Sequence, residues 1–126
     1  MTDDPTLRIQ VSPIPDGVRV EVSGESTYAN TVAYWRAIVS ETKLRHPRHL
    51  LLIDRTIGDA LSGDEWHALV ATLAGTGLES VRIAHVKPNG LEQLEYCELH
   101  ALEAGLSARV FYDEAQANLW LRHGER

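Results

Sequence analysis

Cysteine, phenylalanine and methionine each occur once in the 126 residues, and basic side chains are outnumbered, twelve Lys and Arg against eighteen Asp and Glu. A lone thiol, Cys97, closes no intramolecular disulfide, so the fold has to be held by a core. At this length a chain buries roughly two-thirds of the surface its unfolded form exposes, which supports one domain without a structural metal. The net charge of −6 opposes binding to nucleic-acid phosphates, which depends on Lys and Arg, and no nucleic-acid partner is expected. No window approaches the roughly 18 uninterrupted apolar residues of a membrane span. The start, MTDDPTLRIQ, has neither the basic residues nor the apolar stretch of a signal peptide, and a cytoplasmic location is expected. Gly-rich phosphate loops are missing too: Gly75-Thr76-Gly77 follows a predicted helix and precedes a predicted strand, the reverse of a nucleotide-binding context. No G-x-S-x-G elbow occurs.

What is present is a regular succession of short periodic segments. Leu7, Ile9 and Val11, then Val18, Val20 and Val22, alternate with polar residues on either side of PIPDG, which predicts an antiparallel hairpin with one buried face. Over residues 30–45 the period becomes helical, with Val32, Trp35, Ile38, Val39 and Thr42 on one face before Pro47. HLLLID, residues 49–54, is apolar without alternation, as suits a central strand covered on both faces. After the predicted loop RTIGDAL, Ser62 and Glu65 match a capping box, and Trp66, Leu69, Val70 and Leu73 share one side of the helix that follows. Residues 81–86 predict a strand and Pro88-Asn89-Gly90 opens a third helix that stops at Gly105. Residues 108–112 predict the last strand, and Asp113 with Gln116 caps a C-terminal helix carrying Ala117, Trp120 and Leu121. The expected fold is therefore a single α/β domain, core about 7–121, with a mixed five-stranded sheet and four helices in the order β-β-α-β-α-β-α-β-α.

This order, with Asp54-Arg55-Thr56-Ile57-Gly58 directly after the central strand, resembles the STAS domains. The chain is similar to the bacterial anti-sigma factor antagonists and to the small SpoIIAA-like proteins, which are related in fold to Sec14 lipid-binding domains. The resemblance implies a non-enzymatic regulatory module with a protein partner of the kinase or anti-sigma factor type. It also implies a Ser or Thr phosphoacceptor at the end of the central strand, just before a helix. Thr56 stands in that place, and Ser62, at the helix start, competes with it. A phosphate there would meet unpaired N–H groups and a favourable helix dipole, although Asp54, Asp59, Asp64 and Glu65 oppose added negative charge with only Arg55 to balance it. An ordinary loop hydroxyl at Thr56 and an ordinary cap at Ser62 explain the same residues. Asp54, Arg55, Thr56, Gly58 and Ser62 form the expected partner-binding set, within an exposed loop and helix start over residues 54–65. The alternative implied by the Sec14 relation is a small apolar ligand or lipid held between sheet and helices.

The remaining chemistry-bearing residues have bland readings. Six histidines are scattered over separate elements, and Pro47 separates His46 from His49, so no metal site is expected. His46 suits a helix C-terminus, and His85 suits a buried, hydrogen-bonded strand position. Cys97 shares an apolar stripe with Leu94 and Ala101, and Glu98 sits at its margin. With no grouping of nucleophile, base and oxyanion donors, neither catalytic residues nor a cofactor are expected. Trp35, Trp66 and Trp120 read as core anchors, whereas Tyr28 and Tyr34, with Ala33, Ala37 and Leu44, form a candidate exposed patch.

Overall fold

In the computed structural model, which describes residues 7–58, 62–73, 75–87 and 107–123, the predicted hairpin is the start of the sheet. Strand β1 (Leu7–Ile14) runs antiparallel to β2 (Gly17–Glu25), with Ile9 opposite Val22 and Val11 opposite Val20. The turn between them places Asp16 in the left-handed region, φ 61°, and its carbonyl accepts the N–H groups of Arg48 and His49. Gly17 is required by close approach rather than by dihedral freedom: a Cβ there would lie 2.2 Å from the carbonyl oxygen of His49. The turn thus ties the hairpin to the start of the next strand.

Helix α1 (Tyr28–Arg45) begins where the Thr27 side chain accepts the Asn30 N–H at 3.1 Å, and ends at His46, whose left-handed backbone lets its N–H donate to the Thr42 carbonyl. Strand β3 (His49–Ile57), helix α2 (Gly63–Leu73), strand β4 (Arg82–Val86), strand β5 (Ser107–Phe111) and helix α3 (Glu114–His123) follow. β2, β3, β4 and β5 are parallel neighbours, and the spatial order of the sheet is β1-β2-β3-β4-β5. The α/β class, the mixed five-stranded sheet and three of the helices are therefore present. The third predicted helix, with Cys97 and Glu98, lies outside the described residues.

Strand alternation divides the interior in two. Val18, Val20, Val22, Leu50, Leu52 and Ile83 point to the face covered by α1 and α2, where Trp35, Ile38, Trp66, Leu69 and Leu73 complete the larger core. Leu51, Ile53, Ala84 and Val86 point the other way and are covered by Ala117 and Leu121 of α3. The run LLLI has no polar interruption because both of its faces are covered.

Two expectations are corrected. First, β3 does not stop at residue 54 but continues to Ile57, so Asp54, Arg55 and Thr56 lie in a strand rather than an exposed loop. Paired with Val22, Ser23 and Gly24, they keep the alternation, with Asp54 and Thr56 inward and Arg55 and Ile57 exposed. Second, the face that α1 buries is rotated from the predicted one. Thr31, Tyr34, Trp35, Ile38 and Thr42 are buried, while Val32 and Val39 are only partly so. Tyr34, expected on an exposed patch, is 1% exposed, for its hydroxyl has a partner in the sheet. Trp120 is half-buried, its ring tilted at 48° to that of Phe111 with 5.7 Å between centroids and the Arg82 guanidinium 5.0 Å over it.

Candidate functional site

The inward parity of β3 carries Asp54 past Leu50 and Leu52 to the carboxyl end of the α1 and α2 face, and the matching parity of β4 brings His85 and then Lys87 beside it. All three side chains are buried. Asp54 Oδ1 accepts the Thr56 N–H at 3.0 Å and the Thr56 hydroxyl at 2.6 Å. Oδ2 accepts the Tyr34 hydroxyl at 3.0 Å and the Lys87 ammonium at 3.2 Å, and lies 3.3 Å from His85 Nε2, which donates when that nitrogen carries the proton. A carboxylate offers about four lone-pair directions, and these contacts occupy them. Trp35 approaches the His85 ring edge-on at 6.5 Å between centroids.

Burial is the largest influence on Asp54 and would push its pKa up, but His85, the Lys87 charge and the Thr56 hydroxyl together outweigh it. The carboxyl is held well below the ordinary carboxylate range, ionised and a poor base. The short Thr56 contact is accordingly the clasp of a saturated anion and not the start of a nucleophile, since a base that weak gains little by taking a hydroxyl proton. Among the described residues no group of three or more His, Cys, Asp and Glu could hold a metal ion.

The expected partner-binding residues are divided by this arrangement. Asp54 and Thr56 come together, but inside the protein, with Thr56 5% exposed. Arg55 is exposed and bonds Glu21 Oε2 at 2.7 Å, while Glu21 also bonds Arg19, and Arg19 bonds Glu114 of α3. The two arginines hold Glu21 below its usual pKa, the Arg55 hydrogen bond being the larger cause. Ile57 is 70% exposed, and Gly58 follows with φ 145°, a conformation that L side chains rarely adopt, as the Ser26 N–H donates to the Ile57 carbonyl. Ser62 is exposed and forms the predicted capping box: its N–H donates to Glu65 Oε1 at 2.9 Å, and its Oγ accepts the Glu65 N–H at 3.1 Å.

Sequence reasoning missed Lys87 and Tyr34, and read Asp54 as a surface group. The available signal was parity: Asp54 and Thr56 continue the inward positions of Leu50 and Leu52, and Lys87 continues those of Ile83 and His85. His85 is buried and partnered, as predicted. No helix among the described residues is long and apolar enough to cross a membrane. No protein-family model matches this sequence, and no curated protein matches it.

Proposed function

We propose that the chain is a STAS-like regulatory module that docks on a protein partner through the rim at the carboxyl end of β3, and that Ser62 is the hydroxyl through which phosphorylation switches docking. The reading is supported above all by the contrast between the two hydroxyls. Thr56 is buried and its proton is committed to Asp54, so a kinase would have to open the strand to reach it. Ser62 is exposed at the first turn of α2, where a phosphate meets free N–H groups and the positive end of the helix dipole. The new charge would displace Glu65 from its bond to the Ser62 N–H and change the potential of the rim, with Asp64 beside it, without unfolding the sheet. Ile57 gives that rim an apolar contact and Arg55 a cation already oriented by Glu21. The clasp around Asp54 holds the end of β3, and hence the rim, in one conformation. A partner of kinase or anti-sigma factor type is the one implied by the resemblance.

The test uses the purified chain as bait in extract from its own source. Ser62→Ala should retain the partner, while Ser62→Glu and Ile57→Asp should lose it with unchanged far-UV spectra. A phosphopeptide covering Ser62 should be detected by mass spectrometry. If all variants recover the same partner as the parent and no such peptide is found, the reading is wrong.

A further inference from the structure

A groove of about 560 Å³ runs between α1 and α2. Its apolar wall is made by Val32, Trp35 and Val39 of α1 and by Leu69 and Leu73 of α2, and the rotation of α1 described above is what leaves Val32 and Val39 partly open to it. The volume falls in the range of roughly 300 to 1,000 Å³ typical of small-molecule sites, which are mostly apolar with a few polar groups that fix orientation. Among the described lining residues, Arg36 and Trp35 carry the N–H donors without a protein partner. Arg36 is the one charged side chain among the described lining residues, and it has no hydrogen-bond or ion-pair partner among the described residues. Trp35, also lining the groove and 6% exposed, has a buried Nε1–H with no acceptor among the described residues. The hydroxyls of Thr72 and Thr76 on the opposite wall already donate to the carbonyls of Leu69 and Leu73, so they are left as acceptors. In a chain of net charge −6, a concave apolar site whose described lining carries one charge, a cation with no partner among the described residues, selects against cations and favours an anion.

We propose that the α1 and α2 groove binds a small amphipathic monoanion, an aliphatic carboxylate, with its carboxylate on Arg36 and its chain against Val32, Val39, Leu69 and Leu73. The site stands on its own observations and not on the docking reading, and it gives the ligand a charge and a place between the two helices.

Sodium decanoate is the probe, titrated into the nitrogen-15-labelled full chain with 1-decanol and decyltrimethylammonium as neutral and cationic counterparts. Decanoate should give saturable shifts that include the Trp35 indole N–H, the indole signal lost in Trp35→Phe. Arg36→Ala, a change at an exposed position, should weaken binding about tenfold. Val39→Trp should block the groove. Absence of saturable shifts, equal binding of the alcohol or the ammonium, or full affinity in Arg36→Ala each overturns the proposal. So does binding to phosphatidylglycerol vesicles without binding of free decanoate, because that would make the patch a membrane-surface contact. Failure here leaves the Ser62 experiment unaffected.

Discussion

Asp54 and Lys87 are opposite charges taken out of water together, and their value lies in their mutual dependence. Removing one partner of a buried pair leaves the other uncompensated, which costs about 3 to 5 kcal/mol out of a total stability of about 5 to 15. Asp54→Asn and Lys87→Met should each lose about that much in chemical denaturation, and the double variant should lose clearly less than the sum. Additive losses would show that the two charges do not depend on each other. The same clasp sets an acid limit. The folded pKa of Asp54 lies well below the unfolded value of about 3.9, so the unfolded chain takes up the proton first. The stabilisation is complete above that unfolded value and drains away as pH falls beneath it. Asp54→Asn should therefore flatten the loss of stability below about pH 4, measured by urea midpoints across pH. The cluster was hard to read in the sequence because its inward residues are polar: Asp54 and Thr56 alternate correctly with Arg55 and Ile57, but with the chemical sign of a loop. Lys87 was missed because lysine is almost never buried unless paired, and its partner lies 33 residues away.

At the scale of the element, α2 was legible in full, since its start is written in Ser62 and Glu65 and its buried face in Trp66, Leu69, Val70 and Leu73. Trp66 is 7% exposed against the larger core. Trp66→Ala should cost about 3 to 5 kcal/mol in chemical denaturation, and a loss under about 1 kcal/mol would mean that α2 packs by another face. α1 was legible in its extent but not in its rotation. Val32 and Val39 are as apolar as the residues that α1 buries, and what decides between the faces is the Tyr34 hydroxyl reaching Asp54 across the interface. A single long-range hydrogen bond of that kind leaves no trace in local periodicity.

At the scale of the molecule, β3 has a covered layer on each side and a strand at each edge, whereas among the described residues β1 has a strand on only one edge. Backbone amides in such a core exchange only when the whole structure opens. Hydrogen exchange should therefore show the amides of Leu50 to Ile53 protected to the level of global stability and those of β1 released far earlier. Equal protection of the two strands would mean that the hairpin and the centre open together. The overall class was legible because each change of period, from two to 3.6 and back, is carried by the spacing of Val, Leu and Trp side chains.

The strands stand in space in the order in which they stand along the chain, and no strand is inserted between two others. During synthesis each new strand therefore meets a finished edge to join: β3 has β2 waiting for it, β4 has β3, and β5 has β4. No early segment has to be held open for a later one. The sheet can be laid down at the pace of the ribosome, with one growing edge opposite the standing outer edge of β1.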